Sequence, residues 1–254
     1  MASRKEQKQA RREERLQAEQ AAEAEGRRKK LFAGIGAAAL AAVVVVVALV
    51  GISQSGSDDE TSGDVSQSAL VEEELAGVPQ RGTVLGNPKG KVRIVEFGDL
   101  QCPACAQFSE SQIPELIDET VKAGEATLEF RNFTIIGPDS VVAAKAALAA
   151  SEQDRYWQFV ELFYRNQGPE NGGYVTDEFL TDIARGAGVE DLDAWNEARQ
   201  DPKWEATLAK TQQDAAALGF QGTPSVLVEG PGGSEPLGSF PSLDQIQEAI
   251  ARVR

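Results

Sequence analysis

From Leu31 to Ile52 the chain has no charged residue: "LFAGIGAAALAAVVVVVALVGI". A helix of that length spans roughly 33 Å, enough to cross a hydrocarbon core of about 30 Å. The run divides the chain, because the segments on its two sides must fold separately. A cleaved signal peptide is the rival reading, but its apolar core is usually about 7–15 residues behind a short basic leader. Here the core is longer and the leader is residues 1–30, so an uncleaved anchor is expected. No cysteine stands at the end of the run to take a lipid.

The flanks set the orientation. "GRRKK", residues 26–30, precedes the run, and "SQSGSDDETSGD" comes after it without a single Lys or Arg. Basic flanks stay cytoplasmic, so residues 1–30 are expected inside and everything after Ser53 outside. Residues 1–30 hold ten Lys/Arg against six Asp/Glu, whereas the whole chain carries −15, so the acid excess lies after the run. Nucleic acid is excluded as a partner, since phosphate binding needs clustered cations. The leader has Leu16 as its one large apolar residue, too little for a coiled-coil seam, and is expected to be a solvated, partly helical tail. Ser53–Ser68 is Ser, Gly and acid, a flexible composition. The tether is expected over 53–77, with "ALVEEELAG" (69–77) able to form a short helix, and a folded domain over 78–254.

Within that domain "KVRIVEF" (91–97) has the short apolar run of a buried strand. "ATLEFRNFTII" (126–136) reads as a second strand. Residues 139–218 read as helical throughout, with Trp157 in the core and Asp201–Pro202 opening the last segment. "SVLVEG" and "EPLGSF" flank the turn "GPGG" as a hairpin, and a final helix starts at Ser242 with Gln245 placed for a capping box. Pro114 should break the helix after the first strand. The order is strand, helix, strand, helical block, hairpin, helix: an α/β plan.

The chain's two cysteines stand together in "CPAC", residues 102–105, and it has no histidine. Pro103 suits a first helical position. Cys102 would then face the unpaired N–H groups of the first turn, which favour a thiolate, with Cys105 in reach on the same turn. Such a pair can cycle between dithiol and disulfide, and the extracytoplasmic side is where a disulfide persists. The plainer readings stay open beside this one. A structural staple over so short a loop would stabilise little, and a zinc half-site lacks two further soft ligands.

"VEFGDLQCPAC", the helical block and the later "GTPSVLVEG" resemble the DsbA-like thiol–disulfide oxidoreductases, and within them the membrane-anchored branch of Gram-positive bacteria. The resemblance covers residues 78–254. It implies a thioredoxin fold with an inserted helical subdomain at 139–218, preceded here by a single N-terminal transmembrane helix. It implies that Cys102 is the nucleophile and Cys105 the resolving thiol, with Pro103 and Ala104 between them. Pro224 would be the cis-proline beside the pair and Thr223 a contact for a substrate chain. Glu96 would be a buried acid moving a proton near Cys105, against the alternative of a solvated strand-end acid, as Pro224 is against an ordinary turn proline. Ala104 stands where the best-known member has histidine, which removes a cation that would strengthen oxidation. No cofactor or metal is implied. The partners implied are exported polypeptides with free thiols, an integral-membrane quinone-linked thiol oxidase, and the bilayer through residues 31–52. The implied activity is oxidation of exported proteins. A reductase or isomerase of the same fold, and a non-catalytic membrane-held binding module, are the alternatives.

Overall fold

The computed structural model describes residues 67–254. The tail at 1–30, the apolar run at 31–52 and the first part of the tether fall outside the described residues. Among the described residues, no helix is long and apolar enough to cross a membrane.

Six strands form one sheet in the order β1-β2-β4-β3-β5-β6. They are β1 (Gln80–Arg81), β2 (Val84–Leu85), β3 (Val92–Gly98), β4 (Ala126–Asn132), β5 (Ser225–Gly230) and β6 (Gly233–Ser239). The two central strands, β3 and β4, run parallel with Glu96 opposite Phe130. β5 pairs antiparallel with β3 and with β6. At the outer strand Pro236 stands opposite Leu227, beside a register shift at Val226/Leu227, and Gly233 and Gly238 have positive φ.

Side chains alternate across a strand, so β3 feeds two layers. Val95 and Phe97 enter a small cluster with Phe133, Ala215, Phe220 and Leu227. Val92 and Ile94 enter the large cluster, which holds both cysteines and the helices of the insertion. Glu96 has the parity of Val92 and Ile94, which sends a carboxyl into an apolar layer.

The helices are α1 (Ser68–Leu75), α2 (Pro103–Ser111), α3 (Ile113–Leu116, continuing as a π turn over Ile117–Val121), α4 (Pro138–Ala150), α5 (Tyr156–Arg165), α6 (Asp177–Gly186), α7 (Leu192–Ala198), α8 (Lys203–Ala217) and α9 (Leu243–Val253). Pro114 does end α2: the chain breaks at Gln112, and Ser242 and Gln245 form the expected capping box. Asp201 Oδ1 accepts from the Lys203 amide at 2.8 Å, at the start of α8.

Two expectations need correction. Residues 68–75 take the short helix expected near 69–77, but as part of the folded domain and not of the tether. They form α1, which packs on α5, with Val71 and Leu75 buried and Glu74 paired to Arg165 at 2.6 Å. The second strand ends at Asn132, not 136, because the amides beyond it bond elsewhere: Phe133 to the Gly98 carbonyl, and Ile135 and Ile136 to the Asp99 carboxylate. α5 has no exposed face; every residue from Tyr156 to Tyr164 is buried, including Gln158 and Glu161. It is the central rod of the insertion and lies against α1, α2, α4 and α6.

Candidate functional site

β3 delivers the chain to the site, and the insertion holds it there. Asp99, fully buried, accepts from the Gln101 amide as well as from Ile135 and Ile136. The Cys102 amide donates to the Asp99 carbonyl at 2.9 Å. From the insertion, Gln167 Nε2 donates to the carbonyls of Leu100 (2.7 Å) and Cys102 (3.3 Å), and Tyr164 Oη to that of Asp99 (3.3 Å). Gln101 bridges Ser140 Oγ and the Asn171 amide. Backbone polar groups buried in a loop must be paired somewhere, and here the helical block pairs them. Gly98 is required for a different reason: a Cβ there would stand 2.4 Å from the Phe130 ring and crowd the Glu96 carboxyl.

Cys102 is the N-cap of α2 in extended conformation, Pro103 is the first helical residue, and Cys105 lies on the first turn. Cys102 keeps 8 % exposure and Cys105 none, so a partner from solution meets sulfur 102 alone. Pro103 is exposed and Ala104 half-buried. The Thr223–Pro224 peptide is cis, and the Thr223 carbonyl accepts a hydrogen bond from the Cys102 thiol at 3.4 Å. Glu96, Thr223 and Pro224 thus gather around the pair from β3 and from the turn before β5.

The two thiols are driven in opposite directions. Cys102 is lowered from 9.0 to about 6, chiefly by a hydrogen bond from the Cys105 thiol. Burial opposes this; the Thr223 side chain and the amides of Cys105 and Ala104 add smaller contributions. Neither amide forms a closed capping bond to the sulfur, so the helix opening is an auxiliary donor set. That revises the sequence expectation, which gave the amides the main part. Cys105 is pushed well above its ordinary value, first by burial and then by donating to Cys102 and by the charge of Glu96. Glu96 is not a solvated strand-end acid. It is 3 % exposed in the middle of β3, one carboxyl oxygen has no partner, and burial, then Glu161 and Cys102, hold it well above the carboxylate range.

Sequence reading missed Asp99, Gln101, Gln167 and Glu161. Asp99 and Gln101, three and one before Cys102, lie in the motif, where Asp99 reads as a turn residue. The others reach the site by tertiary packing. Among the described residues no group of three or more Cys, His, Asp or Glu is placed to hold a metal ion.

A family model described as thioredoxin matches residues 79–250. A probable disulfide bond formation protein D from Bacillus anthracis is 32 % identical over 149 residues, 58 % of this chain and 69 % of that protein. The chain belongs to the DsbA-like thiol–disulfide oxidoreductases of the thioredoxin family. Disulfide bond formation protein D from Bacillus subtilis is 25 % identical to this oxidoreductase over 171 residues, 66 % of this chain and 75 % of that one. A thioredoxin-like oxidoreductase from Silicibacter pomeroyi superposes with a TM-score of 0.57 at 30 % identity, covering 74 % of this chain and 96 % of its own. For the fold alone, oxidised BdbD from Bacillus subtilis gives 0.60 at 24 % identity over 77 % and 98 %. The CPAC pair of this DsbA-like enzyme stands at the helix start where thiol exchange needs an exposed and a sheltered sulfur.

Proposed function

We propose that this oxidoreductase donates its disulfide to exported polypeptides. It would be held outside the cytoplasm by residues 31–52, with 1–30 inside, a tether over 53–66 and the catalytic domain from residue 67 onward. The observation that carries the direction is the contrast between the thiols: Cys102 at about 6 beside a Cys105 pushed far up. At pH 7 a thiol lowered from 9.0 to about 6 stabilises the reduced form by about 1.4 kcal/mol. In a two-electron couple that makes the pair roughly 30 mV more oxidising.

A substrate thiolate attacks Cys102 Sγ, the bond between the two cysteines breaks, and its electron pair passes to Cys105 Sγ, which takes a proton. Glu96, neutral and buried beside it, is the donor in this reading. A second substrate thiolate then attacks the substrate sulfur of the mixed disulfide, forming the product disulfide and releasing Cys102 as thiolate. The substrate has lost two electrons and two protons. Thr223 and Pro224 line the approach to sulfur 102. A quinone-linked thiol oxidase within the membrane fits as acceptor for the electrons: Cys102, a thiolate at neutral pH, would attack its disulfide, and Cys105 would then attack sulfur 102 and release the oxidase's thiolate.

The test is stoichiometric oxidation of a reduced two-cysteine peptide by the oxidised full chain in detergent, with the potential measured in parallel. One product disulfide per enzyme, and a potential well above that of thioredoxin at about −270 mV, is expected. A value near −270 mV would assign the same site to reduction instead, and absence of exchange would leave a binding module.

A further inference from the structure

Glu161 makes no contact with either sulfur that the exchange requires. It lies on α5, is 2 % exposed, and its Oε2 accepts a 2.7 Å hydrogen bond from Ser109 Oγ. Ser109 is buried on α2, one helical turn beyond Cys105. Buried acids are normally paired with a cation. Here Arg165, one turn along α5, donates to Glu74 at 2.6 Å and Gln67 at 3.3 Å, and its buried Nε has no partner. The charged groups that act on Glu161 come from three elements, Arg165 on its own helix, Glu74 on α1 and Glu110 on α2, and Glu161 in turn acts on Glu96 of β3. Burial first, and then Glu74 and Glu110, hold the Glu161 carboxyl up at about 7, with Ser109 and Arg165 pulling it down. After burial, the charge of Glu161 is the largest influence on Glu96.

Two carboxyls therefore share one dry layer with the thiol pair, one reaching it from the sheet and one from the insertion. We propose that Glu161 is a positioning residue for the exchange, its charge deciding whether Glu96 keeps the proton that the leaving Cys105 sulfur needs. This rests on the reading of Glu96 as that donor. When the bond between the cysteines breaks, Glu96 gives its proton to Cys105 and becomes an anion, and the replacement proton comes from solvent. Two buried anions in one layer repel, so an ionised Glu161 drives Glu96 to recapture a proton. A neutral Glu161 lets Glu96 stay ionised.

The experiment measures single-turnover oxidation of a reduced two-cysteine peptide by the full chain in detergent, from about pH 5 to 9. The wild-type profile should show an inflection near 7. Glu161→Gln should abolish it and slow the reaction at pH 8, with little change at pH 5.5. Ser109→Ala removes a donor to the ionised carboxylate and should move the inflection to higher pH. Loss of the inflection in one variant and its displacement in the other do not arise from general loosening of the fold. Profiles of Glu161→Gln and Ser109→Ala that superpose on wild type overturn the inference. If Glu161→Gln does not fold, Ser109→Ala decides alone. Glu96→Gln separates the two readings. An effect of that variant with none from the other two removes only the role of Glu161, whereas no effect from Glu96→Gln removes the donor reading and this inference with it.

Discussion

Replacing Cys105 by alanine should return Cys102 toward an ordinary thiol, and replacing it by serine should not. In the structure the Cys105 S–H is the leading stabiliser of the Cys102 thiolate, with Cys102 at about 6. At pH 7 that leaves roughly nine-tenths of it ionised, against about one part in a hundred for a value of 9. A hydrogen bond to a charged group is worth about 1.5–3 kcal/mol, or about one to two units. Cys105→Ala should therefore raise Cys102 by about one to two units and cut the thiolate at pH 7 to between about a half and a tenth. Cys105→Ser keeps an O–H in the same place and should hold the low value. Thiolate absorbance against pH, checked by the pH dependence of alkylation, reads both variants. If Cys105→Ala still titrates near 6, the donors are the α2 amides and Thr223, and the leading role of the Cys105 thiol is wrong. If serine rises as far as alanine, hydrogen bonding is not the cause.

Glu161 also has a stability consequence. Its folded value of about 7 lies above 4.5, so its neutral form favours the fold below about 4.5, and that contribution is lost as pH rises through 7. The loss amounts to roughly 3 kcal/mol, and in urea unfolding Glu161→Gln should remove this decline between pH 5 and 8. Asp99→Ala strands three amides, of Gln101, Ile135 and Ile136. It should cost at least about 2 kcal/mol, seen as a lowered urea midpoint. A chain beginning at residue 78 loses the burial of Val71 and Leu75 and the Glu74–Arg165 pair. It should be less stable than one beginning at residue 61 by about 2–5 kcal/mol, and equal midpoints would show that α1 is dispensable.

The parts of this enzyme legible in its sequence are those whose signal is local. The CPAC turn, the break at Pro114, the Ser242–Gln245 box and the hairpin each lie within a few residues and arise from caps, prolines and period-two patterns. What was not legible depends on contacts between distant segments. Glu161 and Gln158 interrupt the apolar stripe of α5, and polar residues in a helix ordinarily mark an outward face. They are tolerated inside because Ser109 and Gln80 supply partners. The strand ending at Asn132 reads on to Ile136 because nothing in "FTII" announces that Asp99 will take its amides. β1 and β2 are two residues each, too short to carry a pattern. The helix of α1 was readable but its place in the domain was not, because its buried side is only Val71 and Leu75 and only α5 reveals what they cover.

The rim of the sheet at β6 bears on how an unfolded client could engage this molecule. Extended polypeptides readily zip onto any open strand that offers a regular ladder of main-chain partners. At β6 that ladder is interrupted, since Pro236 has no N–H to give and the glycines on either side of it turn the backbone out of line. Under the proposed function, a client would find no runway along this flank, so β6 would add nothing to the hold that the mixed disulfide itself provides.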